Sequence, residues 1–216
     1  MNDYKDLKYQ SPYQKASLIA LHGLVGNPYD VSFFAAAFAQ RFGPSTAPLI
    51  PGHRGTSRDL LNFNRKNIEI LIQELIVKAE DSKNPVFVLS FSMGGLIALN
   101  ALERLKATGN LGGLIFLAPA LRFPASDQTQ LNLLKKVHFD HLIPWISRGG
   151  VGTYKNEIKD RRLSAKYFST TALKEMMYLQ DSALESLNLL KSSPCRMYYG
   201  SKDETVSGEI VTLFDS

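Results

Sequence analysis

Ser92 is the residue in this chain best placed to do chemistry. It sits in the run Pro85-Val86-Phe87-Val88-Leu89-Ser90-Phe91-Ser92-Met93-Gly94-Gly95. A short β-branched and aromatic stretch ends there, and a helical pattern follows through Leu96, Ile97, Ala98, Ala101, Leu102 and Leu105. A serine at a sharp strand-to-helix turn with small neighbours, in the manner of G-x-S-x-G, has its hydroxyl exposed and its backbone strained. Ser90 stands where that pattern has its first glycine, and is small enough to let strand and helix approach. A hydroxyl becomes a useful nucleophile only when a base takes its proton and donors receive the developing oxyanion.

Two further segments supply candidates for those roles. Leu21-His22-Gly23-Leu24 ends an apolar strand, and the backbone N–H of Leu24, after the flexible Gly23, can pair with that of Met93 as an oxyanion hole. His22 could act as a general base or order its own loop by hydrogen bonding, and is also a candidate substrate contact. Asp203 follows Gly200 just past another apolar strand, where a carboxylate could orient a histidine and stabilise its imidazolium. Glu204 competes with it, and a turn or capping aspartate is the plainer reading of Asp203.

The elements needed to bring these residues together are legible as alternating strands and helices. Strands are expected at Ala16–Leu21, Ala47–Ile50, Pro85–Phe91, Leu114–Ala118 and Arg196–Tyr199. Between them lie a helix capped by Asn27 and Pro28 with Val31, Phe34, Ala35 and Phe38 on one face, and a helix with Ile68, Leu71, Ile72, Leu75 and Ala79. The helix after Ser92 follows, then one over Ala172–Leu190. A short last helix is expected over Gly208–Phe214. The pattern predicts an α/β fold, a mostly parallel sheet with helices on both faces and a ligand site beyond the carboxyl ends of its strands. The alternation lapses between about Arg122 and Lys166, which reads as an insertion, with an inserted helical cap spanning about 121–182. There Trp145, beside Leu142, Ile143 and Ile146, is a second candidate substrate contact, either packing beneath the cap or lining an acyl-chain pocket. His138 and His141, three apart in the insertion, lack an evident third ligand, so no metal is expected. Pro51–Ser57 reads as a polar loop at the pocket edge.

Composition narrows the classes of function. The chain has 216 residues, 44% of them hydrophobic, a formal charge of +5 and one cysteine. It is long enough for one domain with its own core. The lone Cys195 rules out an internal disulfide framework and fits a reducing compartment, so a cytoplasmic location is expected. The basic residues are dispersed, with Lys135-Lys136 and Arg161-Arg162 as pairs only, which argues against a nucleic-acid partner. No apolar run reaches the ~18 residues of a membrane span.

Taken in order, Leu21–Asn27, Pro51–Gly55, Ser90–Gly95 and Gly200–Glu204 resemble the α/β-hydrolase superfamily, with most likeness to bacterial carboxylesterases and monoacylglycerol lipases. The resemblance runs from about residue 17 to the C-terminus, interrupted by the cap. It implies Ser92 as nucleophile, Asp203 as triad acid, Leu24 and Met93 N–H groups as oxyanion donors, and an insertion between the strands ending at Leu117 and Tyr199. It implies hydrolysis of short or medium acyl esters or monoacylglycerols through an acyl-enzyme, without a cofactor and with a small-molecule ester as the partner. The family pattern also has a histidine one helix and one strand after the aspartate, whereas no histidine follows His141 here. The expectation is therefore a sequence truncated before its last strand and histidine loop, impaired in turnover. A non-catalytic ligand-binding protein on the same scaffold is the alternative.

Overall fold

A computed structural model describes residues 4–136, 145–147, 167–203 and 205–207. The expected helix Gly208–Phe214, His138, His141 and Glu204 lie outside the described residues.

Strand β1 (Leu7–Tyr9) precedes β2 (Ser17–Leu21), helix α1 (Tyr29–Ala39) and β3 (Ser45–Ala47). Helix α2 (Arg65–Glu80), β4 (Val86–Phe91), α3 (Met93–Ala107) and β5 (Leu111–Leu117) follow. Next come α4 (Ala125–Lys136), β6 (Trp145–Ser147), β7 (Tyr167–Ser169), α5 (Thr170–Glu185) and β8 (Cys195–Tyr198). The main sheet has the order β1-β3-β2-β4-β5-β8. Only β1 runs antiparallel to its neighbour, and the other four pairings are parallel. The order leaves β4 between β2 and β5, so whatever follows β4 has a loop on each side of it.

Helices cover both faces. On one, α1 packs Val31 and Ala35 against Leu18, Ala20, Ala47 and Leu89. The buried stripe of α1 is Val31, Ala35 and Ala39, one residue every four, whereas Phe34, expected inside, is 40% exposed. Small alanines let this helix lie close to the sheet. On the other face, α2 and α3 bury the larger core, and α2 turns inward every predicted position, Ile68, Leu71, Ile72, Leu75 and Ala79. Helix α5 packs on both α3 and α4.

Two local expectations shift. Strand β3 ends at Ala47, ahead of Pro48, and Ile50 is a buried loop residue. Proline cannot donate to a ladder, so the apolar pair behind it does not extend the strand. The cap, expected to be helical, contains an antiparallel ladder as well as α4: Trp145 pairs with Ser169, Ile146 with Phe168 and Ser147 with Tyr167. Short aromatic and β-branched runs favour such pairing. Among the described residues no helix is long and apolar enough to cross a membrane.

Candidate active site

Ser92 forms the junction between β4 and α3, with φ 52° and ψ −117°. A non-glycine residue held there costs about 1–3 kcal/mol and persists only where its surroundings fix it. The fixing groups are visible. Ser92 N–H donates to the Leu117 carbonyl at 3.0 Å, and the Ser92 carbonyl accepts from Gly95 N–H at 3.0 Å and Ala120 N–H at 3.1 Å. Among the described residues two more non-glycine positions have positive φ, Val25 at 52° and Ala118 at 43°. They follow β2 and β5, the strands on either side of β4. Backbone strain is thus gathered at one rim of the sheet, at three neighbouring strand ends.

Close approach at that rim depends on missing side chains. A Cβ on Gly94 would stand 2.7 Å from the Leu21 carbonyl and 2.8 Å from that of His22. The start of α3 therefore sits directly on the end of β2. A Cβ on Gly23 would lie 3.2 Å from the Ser92 Cβ, so the loop after β2 passes alongside the serine. That loop closes with Gly26 N–H donating to the Gly23 carbonyl at 3.2 Å, and Leu24 and Val25 occupy the two middle positions. Asn27 then starts α1: its Oδ1 accepts from Tyr29 N–H at 2.9 Å, and Asp30 accepts from Asn27 N–H in return. Met93 is the first residue of α3, where an N–H has no acceptor within the helix. Leu24 and Met93 thus both belong to segments that flank Ser92.

His22 is fully buried, and both ring nitrogens are engaged within the fold. Ile50 N–H donates to Nε2 at 3.0 Å, which places the proton on Nδ1, 2.9 Å from the Gly23 carbonyl. This corrects the expectation of His22 as a substrate contact: no atom of the ring is left for a ligand. It equally leaves no lone pair to take a proton from Ser92. His53 packs against it, ring centroids 5.1 Å apart, and against Phe63 at 5.4 Å. The loop Pro51–Ser57, expected at the pocket edge, thus turns a histidine inward, with Nδ1 3.0 Å from the Pro51 carbonyl and Nε2 buried without a partner. Burial lowers the pKa of His53 to about 4. Burial, and next the neighbouring His53, hold that of His22 well below the usual imidazole range. Both rings are neutral at pH 7. Sequence reasoning missed His53 as a buried group; its only signal was the place of Gly52-His53 directly behind the apolar pair Leu49-Ile50.

Asp203 follows β8. Leu117 pairs with Phe91 on one side and with Tyr198 on the other, so the ends of β4 and β8 are two strand spacings apart, roughly 10 Å. Asp203 closes a turn: its N–H donates to the Gly200 carbonyl, and its Oδ1 accepts from Thr205 N–H at 2.9 Å and Val206 N–H at 3.0 Å. Ser207 N–H donates to the Arg122 carbonyl at 2.9 Å, tying this turn to the chain that leaves β5. The burial of Tyr199, and next the charge of Asp203, push the Tyr199 phenol up. Trp145 lies in β6, opposite Ser169. Among the described residues no group of three or more histidine, cysteine, aspartate or glutamate side chains could hold a metal ion.

A serine with positive φ between a parallel strand and a helix, flanked by a glycine loop and followed two strands away by an aspartate turn, is a specific arrangement. The sequence profile of the serine aminopeptidase S33 family (Hydrolase_4) matches residues 15–210. The chain belongs to this family of α/β-hydrolases. Solved structures agree with the S33 fold. The chain superposes with a TM-score of 0.81 and 19% identity on a structure reported for the metagenome-derived lipolytic enzymes LipS and LipT, covering 100% of this chain and 83% of that one. For a Paleococcus ferrophilus monoacylglycerol lipase the TM-score is 0.71 and the identity 17%, with 96% and 81% covered. For a soluble variant of the Saccharomyces cerevisiae monoglyceride lipase they are 0.70 and 14%, with 97% and 76% covered. Identities this low speak for the fold. A search of curated proteins finds no sequence match. In chain order α4, β6 and β7 lie between β5 and β8.

Proposed function

We propose that Ser92 is the nucleophile of a serine esterase that cleaves carboxylic esters through an acyl-enzyme. The single observation carrying this reading is the backbone of Ser92, φ 52°, bracketed by hydrogen bonds on both its N–H and its carbonyl. Strain so thoroughly braced has a use when it presents a hydroxyl. The Ser92 oxygen would attack the ester carbonyl, and the oxyanion would be received by the N–H groups of Leu24 and Met93, the latter at the positive end of α3. The leaving alcohol departs with a proton, and water then releases the acid. Asp203 would orient an imidazole that takes the serine proton and returns it to the leaving alcohol; no histidine among the described residues fills that role, so the proposed turnover of this sequence is an impaired one. Neither His22 nor His53 suits that task, since the first has its lone pair occupied and both are closed inside the fold. A small acyl ester, such as a short-chain ester or a monoacylglycerol, is the proposed substrate, in a cytoplasmic setting.

The same two buried histidines favour a second reading, a ligand-binding protein that holds an ester without turning it over. Incubation with p-nitrophenyl esters of increasing chain length separates the two. The esterase reading expects turnover that Ser92→Ala removes. Saturable binding of the ester with no release of nitrophenol would support the second reading and sink the first.

A further inference from the structure

Helix α5 carries a buried glutamine that the proposed reaction does not use. Gln180 is 3% exposed. Its Nε2 donates to the Ala120 carbonyl at 3.0 Å. Ala120 is itself buried, and its N–H is the group that donates to the Ser92 carbonyl at 3.1 Å. Two hydrogen bonds thus join a helix of the outer layer to the strained serine through one residue. On its other side, Gln180 Oε1 accepts from Gln128 Nε2 of α4 at 3.2 Å. Gln128 in turn accepts the N–H of Phe123 at 3.4 Å and reaches Asn132 at 3.2 Å.

The stretch from Leu117 to Ala120 needs such an anchor. It grips Ser92 from both directions, through the Leu117 carbonyl and the Ala120 N–H. To do so it passes through Ala118 at φ 43°, whose N–H donates to the Tyr198 carbonyl at 2.7 Å. A turn strained in this way relaxes unless something outside it holds its far end. The Gln180 amide is the side chain that does so, and without it the Ala120 carbonyl is buried without that donor.

We infer that Gln180 is a positioning residue: it holds the bend that carries Ser92 through the Ala120 peptide, and links that bend to helix α4 of the insertion. This rests on the reading of Ser92 as nucleophile. Gln180 touches no reacting atom, so it governs how well the hydroxyl is aimed rather than how tightly an ester binds. Small errors of aim are costly, because a displacement near 1 Å loses about a hundredfold in rate.

The test compares wild type with Gln180→Met, which keeps the length and loses the amide, and with Gln128→Met, which removes the bonds of Gln128 to Gln180, Phe123 and Asn132 and leaves the bond from Gln180 to Ala120. Inactivation by an alkyl fluorophosphonate is resolved into a binding constant and a maximal rate, and amide hydrogen exchange is followed at Ser92 and Ala120. For Gln180→Met the maximal rate falls about tenfold or more with the binding constant within about twofold, and both amides exchange faster while those of α2 do not. Gln128→Met gives a smaller change in the same direction. Unchanged rate and exchange in folded Gln180→Met overturns the inference, as does faster exchange spread evenly over the chain. If Gln180→Met does not fold, Gln180→Glu at neutral pH preserves the volume, loses the donor and carries the same expectations. A wild-type chain that the probe does not label at Ser92 defeats the esterase reading, while the exchange data still decide whether Gln180 holds the bend.

Discussion

The two flanks of Ser92 are secured in different ways. On the β2 and β3 side the loops are held by side chains: His22 bridges Ile50 and Gly23, His53 packs between His22 and Phe63, and Asn27 starts α1. On the β5 and β8 side the loops are held by backbone bonds together with the Gln180 amide and the Asp203 carboxylate. Leu117, Ala118 and Ala120 bond to Ser92 and Tyr198, and Ser207 bonds to Arg122. One flank therefore depends on the protonation state of two imidazoles and the other does not. The side proposed to contribute an oxyanion donor is therefore the one expected to respond to protonation of these histidines.

The largest effect that would sharpen this contrast comes from Asp203. In Asp203→Asn the Oδ1 atom remains and still accepts from Thr205 and Val206. The turn is preserved while the charge is lost. Ester turnover is expected to fall, by as much as the roughly 10⁴ typical where a histidine completes the triad, with an unchanged urea midpoint. A fall in stability as large as the fall in turnover would show Asp203 to be a turn residue and nothing more.

Acid gives the next largest effect. His53 titrates near 4 in the folded chain and near 6.5 once unfolded. Between those values the unfolded chain binds a proton that the folded chain refuses, so stability falls as pH drops from about 6.5 to about 4. The loss is on the order of 3 kcal/mol for this residue, and His22 adds to it in the same direction. Below about 4 this source contributes no further change. Urea midpoints at pH 7 and pH 4.5 should therefore differ less in His53→Phe than in wild type. Amide exchange on lowering the pH should rise first in residues 22–26 and 50–53, and later around 117–120. Equal loosening on both sides would erase the distinction.

The smallest expected effect concerns the turn that delivers His53. Thr56 and Asp59 form a reciprocal cap at the start of a 3₁₀ segment, Ser57–Asn62, with each side chain accepting from the other's N–H. Thr56→Ala should cost about 1 kcal/mol, and the loss should appear in the protection of residues 50–53 rather than around Asp203.

Much of this arrangement was legible in the residues themselves. The helical faces of α2 and α3 and the strand that ends at Ser92 are long and strongly periodic, so they stand out. The small neighbours of Ser92 were part of that pattern, and at one of them, Gly94, the Leu21 carbonyl approaches closely. What could not be read had physical reasons. Strand β1 has three residues, Leu-Lys-Tyr, and belongs to the sheet only because β3 lies beside it. Phe34 looked apolar enough for the core, but the stripe that faces the sheet is made of alanines. His53 stands in a run of glycine, arginine, threonine and serine whose polarity suggests solvent; its burial follows from the capped turn beside it. Gln180 looks like any polar residue on a helix, because its partner is a backbone carbonyl 60 residues earlier.

The most direct measurement is peptide mapping by tandem mass spectrometry after reaction with an alkyl fluorophosphonate. The account predicts a single adduct on Ser92 and none in Ser92→Ala, which also loses whatever ester turnover the chain has. An adduct on another serine, or one that persists in Ser92→Ala, would contradict it.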